Sequence, residues 1–253
     1  LTVSLPIISA MKIEGCILPT AILSTNAAFP GYYIDDYTKH MEAYINHWKD
    51  IHLEFDAIYI GFIASLEQVD MIIDFVRYFK KQDTVVILDP IMGDHGKLYS
   101  ITNPSMWNKL IDLLPFVDII TPNLTECYQL LNQSYHFGKH EEHELFDIAT
   151  RISVMGPDKI VITGIEYQNR IQNYVYEKGK EPRSIIIEKI GENRAGTGDV
   201  FSSIVAGGVT KGESFIVSVQ KAVEFLNQAI TYTNQMNIPP RNGICFEEFL
   251  SIL

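Results

Sequence analysis

The chain has 253 residues, 47% of them hydrophobic and 20% charged, with a formal net charge of −11 at pH 7. That length supports one large α/β core, while the acidic balance excludes a protein that grips a nucleic-acid backbone, which needs clustered Lys and Arg. No run reaches the roughly 20 consecutive apolar residues that cross a bilayer.

In chain order, residues 13–18 and 21–25 form two short apolar runs broken by Pro19. Residues 56–60 read as a buried strand, and 66–79 as an amphipathic helix with Val69, Ile72, Ile73, Val76 and Phe79 on one face. Strands follow at 84–88 and 117–121. The polar stretch 133–144 reads as a mobile, solvated loop, although His136 and His140 are four residues apart. A helix is expected over 141–155, a strand over 159–163, and a hairpin or edge addition from 171–176 and 184–190 around Lys178-Gly179-Lys180. A last helix covers 213–236. Strand and helix alternating in this way predict a mainly parallel sheet covered on both faces, in one domain over 1–253 with no repeat and no linker. Cys16, Cys127 and Cys245 are odd in number and far apart, which argues against a disulfide framework or a zinc site. With no secretory leader expected, the setting is read as reducing and cytoplasmic, and each cysteine as a small buried apolar side chain.

Open sheets of this kind collect ligands at the carboxyl ends of their strands. Asp89, Thr121 and Thr163 end three of the predicted strands, each followed by a loop with Pro or Gly. Asn123 and Thr163 would also suit helix caps. The strongest signal is Gly196-Thr197-Gly198-Asp199, followed by the small, apolar stretch 200–209. Its glycines let several amide N–H groups point at one spot beside a helix N-terminus. Such a spot favours an anion, and Asp199 is placed to take a proton from a hydroxyl while the amides stabilise charge on a transferred phosphoryl group. A chain this acidic must meet a nucleotide's phosphates with metal ions and backbone dipoles, so magnesium is expected.

Three motifs occur in a familiar order: residues 88–99 (LDPIMGDHGKLY), residues 121–126 (TPNLTE), and 196–199 (GTGD). Together they resemble the pyridoxal kinase family of the ribokinase-like superfamily, from about Leu5 to residues 239–243. The resemblance implies a three-layer α/β/α fold with a small β flap over 13–30, ATP and Mg2+ as cofactors, a monovalent cation such as K+, and a homodimer. It implies that Asp89, Thr121 and Thr163 line the nucleotide phosphates and the monovalent cation site, and that Asp94 and Glu126 surround magnesium directly or through water. Asn123 would hydrogen-bond nucleotide phosphate, and Tyr99 would lie in the loop over the nucleotide. Asp199 matches the catalytic base, with Gly196, Thr197 and Gly198 as the anion hole.

On the acceptor side, the apolar flap with Thr25 would exclude water from a vitamin substrate. Here the chain departs from the family, with Asn26-Ala27 where a His-Thr pair is usual and Phe62 where Tyr is common. A buried hydrogen bond is worth on the order of 1 kcal/mol, so these changes are expected to weaken pyridoxal or shift preference to a related ring. The resemblance also implies a strand and a Gly-rich turn ahead of Leu1, so the chain is expected to be a fragment. The implied activity is ATP-dependent phosphorylation of the 5′-hydroxymethyl group of pyridoxal or a close B6 vitamer. Alternatives are a hydroxymethylpyrimidine kinase, a sugar kinase, for which the flap offers few polar groups, and a catalytically idle ligand sensor.

Overall fold

The computed structural model describes residues 1–103 and 105–253. The chain runs α1 (Ser4–Ala10), β1 (Ala21–Leu23), β2 (Ile34–Asp36), α2 (Thr38–Asp50), β3 (Ala57–Ile60), α3 (Leu66–Phe79), β4 (Val85–Leu88) and a small hairpin of β5 (Gly93–Asp94) and β6 (Lys97–Leu98). It continues through α4 (Met106–Leu110), β7 (Ile119–Ile120), α5 (Leu124–Leu130), α6 (Glu142–Val154), β8 (Lys159–Tyr167), β9 (Arg170–Glu177), β10 (Arg183–Glu188), α7 (Thr197–Thr210) and α8 (Phe215–Gln235).

Among the described residues six strands form the main sheet in the order β10-β9-β8-β7-β4-β3. β3, β4, β7 and β8 are parallel, whereas β9 and β10 extend the sheet antiparallel, as the expected edge addition does. Parallel strands are covered on both faces and therefore read as unbroken apolar runs; Val86, Ile87 and Leu88 of β4 are fully buried. Ile58, Ile60, Val86, Leu88 and Ile120 pack with α3, α5 and α6. Ile87, Ile119 and Val161 turn the other way, onto α1, α7 and α8. The sheet therefore separates two apolar layers.

Several expectations need correction. Residues 13–18 form no strand; the partner of β1 is β2, with Ala21 opposite Asp36 and Leu23 opposite Ile34. Pro19 cannot donate to a ladder, and the sequence Ile34-Asp35-Asp36 carries no apolar alternation to announce a strand. α2 escapes the periodicity reading because only Met41 and Ile45 are buried on it. β8 runs past Thr163 to Tyr167, with an irregularity between Ile162 and Ile165, so Thr163 is a strand residue and not a cap. The 133–144 stretch is not uniformly solvated, since His140 is buried and Tyr135 and Phe137 lie against Gly96. Cys127 is buried, but Cys16 is exposed and Cys245 only half-buried.

Candidate active site

The parallel strands deliver their carboxyl ends to one edge, where Asp89 follows β4 and Thr121 follows β7. Backbone bonds fix both positions: Asp89 N donates to Ile60 O at 2.8 Å and Thr121 N to Leu88 O at 3.1 Å. Beyond β7 a single further bridge joins Asn123 to Thr163, and Thr163 N donates to Pro122 O at 2.8 Å. The three motif residues Thr121, Asn123 and Thr163 are thereby set side by side.

Asp89 is 5% exposed. Burial, then the nearby Asp199 carboxylate, pushes its pKa up to about 8, against the pull of the Ser202, Tyr59 and Thr121 hydroxyls. The Thr121 and Ser202 hydroxyls are hydrogen-bonded at 2.8 Å. Among the described residues Asp89 Oδ2 is buried with no partner, an arrangement that leaves a place for a cation or a proton.

The β5–β6 hairpin brings Asp94 over this edge. Gly93 is obligatory there because a Cβ would overlap the Lys97 carbonyl. Asp94 Oδ1 accepts from His95 N at 2.8 Å, and His95 Nε2 lies 3.5 Å from Asp94 Oδ2 and 2.6 Å from Asn193 Nδ2. Asn123 caps α5 as the alternative reading had it, in a reciprocal capping box: its Oδ1 accepts from Glu126 N at 3.1 Å and Glu126 Oε2 accepts from Asn123 N at 2.8 Å. The remaining atoms reach the hairpin, with Asn123 Nδ2 donating to Gly93 O at 2.7 Å and Glu126 Oε1 accepting from Met92 N at 3.1 Å. Burial, then Asp89, holds the Glu126 carboxyl well above the usual carboxylate range.

Gly196 takes the left-handed conformation with φ 82° immediately before α7, which an L side chain would resist. Val200 N is the first to close a helical bond, onto Gly196 O at 3.0 Å, so the amides of 197–199 have no partner within the helix. Thr197 Oγ1 donates to Arg194 O at 3.1 Å. Asp199 sits in the first turn, half-buried, and burial raises its pKa. Tyr99 faces the same space: burial, then Glu126, Asp94, Asp89 and Asp199, pushes its phenol up.

The structure thus gathers Asp89, Asp94, Tyr99, Thr121, Asn123, Glu126, Thr163 and 196–199 around one edge. Among the described residues no three His, Cys, Asp or Glu side chains form a metal cage. Thr25 and Asn26 lie apart on the flap, exposed. Asn26 Oδ1 accepts from Ala28 N at 2.9 Å and its Nδ2 donates to Arg241 O at 3.0 Å. Phe62 follows β3, and its carbonyl accepts from Thr20 Oγ1 at 2.6 Å. Sequence reasoning missed Tyr59, Ser202, His95 and Arg194. Ser202 alone left a signal, standing three residues after Asp199 on the same helical face.

The phosphomethylpyrimidine kinase family model matches residues 5–243. A bifunctional enzyme of thiamine biosynthesis, TH1, from Arabidopsis thaliana is 29% identical over 202 residues, 79% of this chain and 38% of that protein. Human pyridoxal kinase is 26% identical over 204 residues, 72% of this chain and 63% of that one. The chain therefore spans less than two thirds of these relatives. A structure described as that of a phosphomethylpyrimidine kinase from Bacteroides thetaiotaomicron, in its orthorhombic form with pyridoxal, superposes with a TM-score of 0.95 at 33% identity, over 99% of this chain and 88% of that one. Pyridoxal kinase from Lactobacillus plantarum gives a TM-score of 0.89 at 23% identity, over 98% and 89% of the two chains, and shares the fold. The ribokinase-like architecture expected from the motifs is the one found.

Proposed function

Because the chain belongs to the phosphomethylpyrimidine kinase family, we propose that it is an ATP-dependent kinase acting on the 5′-hydroxymethyl group of pyridoxal or a related B6 vitamer. The observation that carries this reading is the placement of Asp199 in the first turn of α7, beside unpaired amides and across from Asp89. Asp199 takes the proton of the acceptor hydroxyl as the hydroxyl oxygen attacks the γ-phosphorus in line and the bond from that phosphorus to the β–γ bridging oxygen breaks, releasing ADP. The amides of 197–199 receive the charge that builds on the transferring group. Thr163 and Tyr99 border the nucleotide. Asn123, whose side chain is tied to Gly93 and Glu126, sets the height of the phosphate-facing loop.

Asp94 and Glu126 are the residues that would hold magnesium. Glu126 already accepts two backbone N–H groups, so it would suit contact with the ion through water, as magnesium usually keeps several waters. The unpartnered oxygen of buried Asp89, with Thr121 and Thr163, fits a monovalent cation such as K+. When bound, these ions neutralise phosphate charge. On the acceptor side β1, β2 and residues 24–33 cover the ring, with Thr25, Asn26 and Phe62 as the contacts. A homodimer follows the family pattern and is checked by light scattering; a cytoplasmic location is in keeping with three free cysteines.

A hydroxymethylpyrimidine is the second acceptor, favoured by the matching family model; its hydroxymethyl group also sits on a flat heteroaromatic ring. ADP release with magnesium-ATP against pyridoxal, pyridoxine, pyridoxamine, hydroxymethylpyrimidine and ribose separates the readings. Turnover on a B6 vitamer is expected. Turnover on the pyrimidine or the sugar alone replaces the substrate and keeps the mechanism, whereas ligand binding with no ADP from any acceptor overturns the kinase.

A further inference from the structure

Buried cations ordinarily face a carboxylate. Arg194 is 9% exposed, yet among the described residues no Asp or Glu pairs with it. The hydrogen bonds it makes all go to neutral oxygens. Nε and Nη2 donate to Asn234 Oδ1 at 3.1 and 2.6 Å, and Nη1 donates to Ile238 O at 2.8 Å and Gly243 O at 3.3 Å. Asn234 is itself seated on Gly191, where a Cβ would overlap its amide. From the same turn, Ala195 N donates to Pro240 O at 3.4 Å. One side of segment 238–243 is therefore tied to the residues that lead into the amides at the start of α7.

The other side of that segment carries the flap. Asn26 Nδ2 donates to Arg241 O at 3.0 Å, and the Arg241 guanidinium lies 5.3 Å from the centre of the Phe29 ring, a cation–π contact. A guanidinium is suited to such a junction because its rigid fork holds several acceptors at fixed angles, which an ammonium does not. With no carboxylate to cancel it, its charge also stands two residues ahead of Gly196.

We propose that Arg194 is a positioning residue that sets segment 238–243 between the β1–β2 flap and the amides of 196–199, so that acceptor cover and phosphate-facing groups are placed as one unit. This rests on the kinase reading only for the ligand that each part faces; the mechanical link is independent of it. The test is hydrogen exchange of residues 21–36, 194–199 and 238–243 in wild type, Arg194→Lys, Arg194→Met and Phe29→Ala, with and without ADP, beside kcat and acceptor KM. Arg194→Met is expected to speed exchange in all three segments, lower kcat at least tenfold and raise acceptor KM, with Arg194→Lys in between. Phe29→Ala is expected to speed exchange in 194–199 as well as in the flap. Faster exchange throughout the sheet with unchanged kcat and KM per folded molecule would mean a stability role alone and overturn the proposal. So would a Phe29→Ala effect confined to the flap, which decides the matter if Arg194→Met does not fold. A wild type inert toward every acceptor sinks the kinase reading instead and leaves the exchange coupling to be judged by itself.

Discussion

The Asp199 carboxylate stands close enough to Asp89 to raise its cost of ionisation, burial does the same to Asp199, and each carboxyl has a measurable consequence. Asp199 has to be ionised to accept a proton, and burial raises its pKa, so the acid limb of kcat/KM is expected above the ordinary carboxylate value near 4. Asp199→Ala should lower kcat by roughly 10²- to 10⁴-fold with little change in ADP affinity measured by calorimetry; near-wild-type turnover would remove it as the base. Asp89 titrates at about 8 in the fold, so the folded state holds a proton that the unfolded chain releases near pH 4. Its favourable contribution is complete below that ordinary value and is lost as pH rises toward about 8. Thermal unfolding of the ion-free protein should therefore fall in midpoint across that window, and Asp89→Asn should flatten the decline and be the more stable form at pH 8. A parallel decline in both proteins would show that the carboxyl is not the cause. Legibility at this scale was uneven. Asp89 and Asp199 announce themselves beside Pro90 and Gly198, whereas Tyr59 reads as one more strand residue, and only the packing of β3 beneath α7 sets its phenol beside both carboxylates.

At the scale of elements, the site hangs on two devices that join separate parts of the chain. One is the α5 capping box, which also reaches the β5–β6 hairpin through Asn123 Nδ2 and Glu126 Oε1. Asn123→Ala should cost about 0.5–2 kcal/mol of stability, as losing a cap does, read by denaturant unfolding. Because the same side chain anchors Gly93 through Nδ2, nucleotide affinity should fall as well; a stability loss with unchanged ADP binding would confine Asn123 to capping. The other device is the left-handed Gly196 at the mouth of α7. Elements with a dense apolar pattern, such as α3, α8 and β4, were legible because burial on one or both faces dictates residue type. α2 and β2 were not. Mostly exposed, they owe their form to neighbours: Gln68 Nε2 on α3 donates to Thr20 O at 2.7 Å, Asp36 Oδ1 at 3.1 Å and Thr38 Oγ1 at 2.9 Å, fixing the flap base where no apolar stripe marks it.

For the whole molecule, a net charge of −11 repels a bare nucleotide. Chelation of divalent ions should abolish turnover and weaken ATP binding at least tenfold, with recovery on adding back magnesium; binding that is indifferent to the ion would assign the phosphates to backbone amides alone. The fold class and the strand-end edge that gathers the candidate site were determined by the sequence itself, because β-branched runs alternating with 3.6-residue periodicity admit few arrangements, and Gly and Pro mark where strands end. Asp89, Thr121 and 196–199 inherit their position from that rule. What only the tertiary structure decided is which distant segments meet. Arg194 joining Asn234 and 238–243, Asn26 seated on Arg241, and His95 against Asn193 are contacts between residues 40 to 215 apart. Each uses a polar side chain to bind a backbone or amide group, and such bonds impose no period on the sequence.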